Sequence, residues 1–119
     1  MNIEEVRDYC LKLNGVAEDF PFGSEVLVFK VMGKAFLLTS LDERPFRFNV
    51  KCDPEKAIEL REEYNCVKPG YHMNKKHWNT VTPDESVSDK MVYNWITHSY
   101  ELVVEGLPKR IKEKLKKKK

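Results

Sequence analysis

Apolar positions near the start of the chain recur at helical spacing. Ile3, Val6, Cys10 and Leu13 stand three or four residues apart, and Asn2 with Glu5 forms a capping-box start. The spacing predicts a helix over residues 3–14, closed by Gly15. Residues 17–23, with Phe20-Pro21-Phe22-Gly23 inside, read as an ordered loop pinned by its aromatics. Two runs rich in Val, Leu and Phe, residues 25–31 and 34–40, flank Met32-Gly33 and predict a hairpin. Both runs are apolar on two faces, which places them inside a sheet. Phe46, Phe48, Val50 and Cys52 alternate with Arg47, Asn49 and Lys51, a period of two that predicts a third strand with one core face and one wet, basic face. Asp53 as cap and Pro54 at the first helical position start a second helix that runs to about Tyr64. Pro69-Gly70 breaks the chain, and residues 78–82 read as a strand, giving a strand pair around Asn74-Lys75-Lys76. Ser88 caps a long helix whose Val92, Trp95, Ile96, Leu102 and Val103 form an apolar stripe up to Gly106. Leu107-Pro108 then restarts a short basic helix. The order α-β-β-β-α-β-β-α predicts an α+β, two-layer fold: an antiparallel sheet with helices on one face.

Composition adds limits to this picture. A chain of 119 residues holds one domain, residues 1–108, followed by a basic C-terminal tail, residues 109–119. The tail carries eight Lys or Arg against Glu113, and the remaining 108 residues carry 13 bases and 18 acids, so the net charge of +2 hides a body of −5. An acidic body argues against polyanion binding by the whole domain, because phosphate neutralisation by Lys and Arg dominates that affinity. A nucleic-acid site must therefore be a local patch or the tail, and Lys116 to Lys119 read as a solvated, frayed end. No apolar run approaches membrane-spanning length, and the first residues carry acids where a leader needs bases. Cys10, Cys52 and Cys66 lack Cys-x-x-Cys spacing and read as free thiols of a reducing compartment. These features predict a cytoplasmic monomer with no membrane contact.

The candidate chemistry concentrates in Lys68 to Val81, which holds Lys68, Lys75, Lys76, His72, His77, Tyr71, Trp78, Asn74 and Asn79 without one acid, in a chain that is 34% charged. For nucleic acid, Lys75 and Lys76 neutralise phosphates, Asn74 and Asn79 offer donors and acceptors, and Trp78 or Tyr71 offers a stacking face. Arg47 and Lys51 extend this patch if the wet face of the third strand adjoins the loop. The competing reading makes Trp78 and Tyr71 core anchors of the strand pair. Cys66, His72 and His77 lie within twelve residues, yet structural zinc needs four ligands at tighter spacing, so neither metal nor cofactor is expected. His72 or His77 as a general base, oriented by Glu18 or Asp19, defines an enzyme alternative, but every recognisable catalytic template is absent and the chain reads as non-enzymatic. His98 reads as a packed or half-exposed helical residue. A third class is a module for a small anion or a protein partner, with a cleft lined by residues 20–23 and 71–78. In that case Phe20, Phe22, His72, Lys75 and Trp78 surround the ligand.

The run Pro69-Gly70-Tyr71-His72-Met73-Asn74-Lys75-Lys76-His77-Trp78-Asn79-Thr80-Val81 resembles the signature of the MmcQ/YjbR-like family of small bacterial proteins. Phe20-Pro21-Phe22-Gly23, the stretch Phe29 to Phe36, the block Val50 to Glu55 and the run Ser99 to Val103 resemble its other blocks in the same order. The resemblance spans roughly residues 1 to 110 and implies a two-layer α+β fold. It also implies DNA binding, through a fold similarity to the double-wing motif of a phage transcription-factor domain. The terminal lysines look like an addition to that pattern. Together these readings predict a DNA-binding domain using Lys75, Lys76, Asn74, Tyr71 and Trp78, with His72, His77, Arg47 and Lys51 beside them.

Overall fold

The computed structural model describes residues 1–71 and 73–117. Helix α1 (Ile3–Lys12) begins where Asn2 Oδ1 accepts the Glu5 N–H at 2.9 Å, and it buries Val6 and Cys10. The chain then turns through Gly15 at φ +74°, where any side chain would also run into Leu115. Strand β1 (Val16–Asp19) follows and pairs antiparallel with β2 (Val26–Val31). This corrects the loop expected over residues 17–23 at Ala17 to Asp19, while residues 20–23 lie outside any strand or helix as expected. Val-Ala-Glu-Asp has no alternation of apolar and polar residues, because β1 is an edge strand whose acids blunt the exposed edge.

The hairpin of β2 and β3 (Lys34–Ser40) forms where expected. Met32 and Gly33 both take positive φ, 50° and 85°, as a two-residue turn matched to strand twist requires. Strand β4 (Phe48–Lys51), helix α2 (Pro54–Glu63), β5 (Val67–Pro69), β6 (Trp78–Val81) and helix α3 (Asp89–Glu105) follow in the predicted order. Asp53 caps α2 by accepting the Lys56 N–H, and Ser88 caps α3 by accepting the Met91 N–H. The six strands make one antiparallel sheet in the order β1-β2-β3-β4-β6-β5.

Register assigns the two faces. Glu18, Phe29, Leu37, Val50, Asn79 and Pro69 are successive cross-strand partners, and Phe29, Leu37 and Val50 belong to the helix-side core with Val6, Cys10, Val92 and Ile96. The adjacent row, Asp19, Val28, Leu38, Asn49, Thr80 and Lys68, points the other way. Ser99 fastens α3 to the sheet: its Oγ accepts the Lys51 N–H at 2.8 Å and donates to the Phe36 carbonyl at 2.6 Å. Lys116 and Lys117, expected as part of a frayed end, belong to a helix, and Lys118 and Lys119 lie outside the described residues. Helix α4 (Lys109–Lys117) docks through buried Leu115, whose carbonyl accepts from Asn14 Nδ2 at 2.8 Å. Among the described residues no helix is long and apolar enough to cross a membrane.

Candidate functional site

The helix-free face of the sheet carries a groove of about 380 Å³. Its floor is the middle of the outward row, Leu38, Asn49 and Thr80, contributed by three strands that register has brought side by side. Phe22, from the loop after β1, and Tyr71, from the loop after β5, both line it. They are 71% and 60% exposed, so their rings are not core anchors. Met73 adds a flexible apolar contact. A third wall comes from Glu43 and Arg47, whose Oε2 and Nε lie 2.6 Å apart. The Thr39 hydroxyl donates to the Arg47 carbonyl at 2.7 Å and fixes the entry to β4.

The two polar residues of the floor are ordered by hydrogen bonds. Thr80 Oγ1 donates to Asn49 Oδ1 and accepts the Tyr71 N–H at 2.9 Å, so one hydroxyl ties the Tyr71 backbone to two strands. Gly70 precedes it where β5 passes over Trp78. A Cβ there would sit 2.8 Å from the Trp78 Cβ, while the Gly70 N–H donates to the Trp78 carbonyl at 2.8 Å. Glycine is the residue that permits this approach.

Several predicted site residues meet here and several do not. Tyr71 and Arg47 line the groove, so the wet face of β4 does adjoin the 71–78 loop. Lys51 and Trp78 are register partners one row further along the same sheet, outside the groove lining. Trp78 is half-buried under Gly70 and serves the strand pair. Asn74, Lys75 and Lys76 are exposed on the loop that follows groove-lining Met73, none of them lines the groove, and neither lysine enters an ion pair among the described residues. His77 is half-buried, with its backbone tied to Asn74 and Cys52. His72 lies outside the described residues.

Arg61 of α2 holds this loop from the helix side. Its Nε donates to Asn79 Oδ1 at 2.6 Å, and its Nη2 donates to the Trp78 carbonyl at 3.2 Å and to the Lys75 carbonyl. Asn79, expected as a ligand donor, is instead 1% exposed and faces the helices. Acids proposed to orient a histidine are committed elsewhere: Glu18 to Arg7 at 2.7 Å and Asp19 to Lys30 at 2.8 Å. Cys66 lies in the helix-side core, and burial pushes its thiol up. Among the described residues no group of three ligating side chains could hold a metal. His98 accepts the Asp53 N–H at 3.4 Å, and burial pushes its imidazole down.

Glu43, Leu38 and Thr80 were not anticipated as lining residues. The acid-to-base spacing of Glu43 and Arg47 was a readable signal, whereas Leu38 and Thr80 give none, because only register places them beside Asn49.

The comparisons with known proteins agree with this architecture. The uncharacterized protein YbdF of Escherichia coli O157:H7 is 43% identical over 114 residues, covering 95% of this chain and 93% of that one. The uncharacterized protein YjbR of Escherichia coli K12 is 32% identical over 108 residues, covering 91% and 92%. A crystal structure of a Deinococcus radiodurans protein with the domain DUF419 superposes with a TM-score of 0.88 at 38% identity, covering 97% of this chain and 88% of that one. A Pseudomonas syringae protein superposes with a TM-score of 0.74 at 28% identity, covering 86% and 98%. The YjbR family model matches residues 11–102, and with relatives this similar along nearly their whole length the chain belongs to the YjbR family.

Proposed function

We propose that this protein is a non-enzymatic nucleic-acid-binding domain that takes an unpaired base of DNA in the groove on its open sheet face. The observation that carries the reading is the placement of exposed Phe22 and Tyr71 on one groove whose floor carries Asn49 and Thr80 beside Leu38. Aromatic faces on a sheet are stacking platforms for bases that have left a duplex, each stacked base contributing about 1–3 kcal/mol. Asn49, Thr80 and the Glu43–Arg47 pair supply donors and acceptors for a base edge. Exposed Lys68, the register partner of Thr80, and exposed Lys75 and Lys76, on the loop after Met73, match the phosphates of the flanking strand. A cytoplasmic monomer is part of the proposal, and three free, buried cysteines support a reducing compartment.

Fluorescence anisotropy with single-stranded and duplex DNA at two salt concentrations tests it. Single strands bind more tightly, Phe22→Ala with Tyr71→Ala weakens them by roughly tenfold or more, and Lys75→Ala with Lys76→Ala flattens the salt dependence. Single-strand binding that ignores both pairs of substitutions refutes the proposal.

The groove's size favours a second reading, a compact small-molecule ligand, since pockets for such ligands run from about 300 to 1,000 Å³. Calorimetry with free nucleotides and small anions separates the two: an isolated ligand that binds as tightly as an oligonucleotide supports the second.

A further inference from the structure

Helix α4 has a charge layout that the groove does not explain. At about 100° per residue, Ile111 and Leu115 fall on one side, and Leu115 is buried against the body. Diametrically opposite stands exposed Glu113. Lys109, Lys112 and Lys116 lie on one flank of Glu113, and Arg110, Lys114 and Lys117 lie on the other. Among the described residues none of these six bases is in an ion pair. The helix therefore presents two parallel cationic edges separated by an acidic crest.

We propose that α4 docks in the major groove of duplex DNA, with one cationic flank against each phosphate ridge. A helix about 10–12 Å across fits a groove about 12 Å wide, with phosphates on both sides. A flat anionic membrane would meet Glu113 first, and insertion requires an apolar face that α4 has already turned into the domain. A single strand offers one line of phosphates and engages one flank. The major groove of duplex RNA is too narrow to admit the helix.

This surface is separate from the open-face groove. Leu115 packs by Gly15 near Met32, at the turn end of the β2–β3 hairpin, whereas Val26 and Ser40 line the groove at the opposite end. The six residues of β2 span the distance between them, about 17–20 Å.

The test uses the full chain and a short blunt duplex without unpaired bases, measured by anisotropy between about 50 and 200 mM salt. One variant carries Lys109→Gln, Lys112→Gln and Lys116→Gln. The other carries Arg110→Gln, Lys114→Gln and Lys117→Gln. Each triple is expected to reduce the slope of log affinity against log salt by about 0.9 per lost phosphate contact, a loss of roughly tenfold per contact near 0.1 M salt. The two triples are read on the duplex and Phe22→Ala with Tyr71→Ala on a single strand, so failure here and failure of the base-binding proposal are told apart. Unchanged thermal melting confirms that the variants fold, and the pair Lys109→Glu with Lys117→Glu repeats the test with fewer changes. The proposal is overturned if both triples bind duplex like the wild type. It is equally overturned if only one flank matters, or if phosphatidylserine vesicles or duplex RNA bind α4 as tightly as duplex DNA does.

Discussion

Replacing Arg61 with Met removes the guanidinium that ties α2 to the 74–79 segment while keeping most of the aliphatic stem. Three hydrogen bonds disappear: the one to Asn79 Oδ1 at 2.6 Å, the one to the Trp78 carbonyl at 3.2 Å and the one to the Lys75 carbonyl. Asn79 matters most, because it is 1% exposed and its Nδ2 has no partner among the described residues. Without Arg61 the buried amide has lost the partner of its oxygen as well. A hydrogen bond from a charged donor contributes about 1.5–3 kcal/mol, and an orphaned buried acceptor costs about 1–3 kcal/mol. These describe overlapping effects, and because Arg61 is only half-buried water reaches the carbonyls it leaves, so Arg61→Met is expected to cost about 3 kcal/mol. For a domain of this size that lowers the melting temperature by roughly 12 °C, and it moves the urea midpoint by roughly 1–2 M. Asn79→Leu in the Arg61→Met background should cost less than it does alone, with a coupling of about 1.5–3 kcal/mol, because the amide no longer has a charged partner to lose. Additive effects, or a single-variant cost under about 1 kcal/mol, would show that Arg61 is a surface residue and that the loop is held by its own turn.

Other consequences follow from the same geometry. Ser99→Ala, which unpairs the half-buried Lys51 N–H and the buried Phe36 carbonyl, should cost about 1–3 kcal/mol in urea denaturation; a neutral result would mean that α3 is held by packing alone. Hydrogen bonds from the Arg7 guanidinium hold the Glu18 carboxyl below its ordinary value of 4.5. The stability this contributes is present above pH 4.5 and is lost as the pH falls through the lower folded-state value. Glu18→Gln should therefore show a shallower loss of urea midpoint below pH 4.5 than the wild type, and equal profiles would rule the pair out as a contributor. Burial pushes the Cys10 thiol up to about 12 and the Cys52 thiol up to about 11. Both should react slowly with a disulfide reagent at pH 8 until urea unfolds the protein, and fast labelling of the native state would refute their burial.

The amino-acid sequence by itself determined the local elements. Apolar periodicity, the caps at Asn2, Asp53 and Ser88, and the turn at Met32-Gly33 act within a few residues, and the helices and the central hairpin formed where those signals stand. The alternation from Phe46 to Cys52 likewise fixed which side chains of β4 are wet. Tertiary structure decided the rest. β1 exists because β2 offers an edge to pair with, and four residues rich in acid carry no independent strand signal. The groove exists because β3, β4 and β6 align Leu38, Asn49 and Thr80, residues up to 42 positions apart in a chain whose local pattern says nothing of their neighbours. Asn79 and Thr80 are adjacent in sequence, yet the pleat sends one to Arg61 under the helices and the other to the open groove. Local propensity acts over one turn or one pleat, while a binding surface is set by register between strands, which only the folded sheet defines.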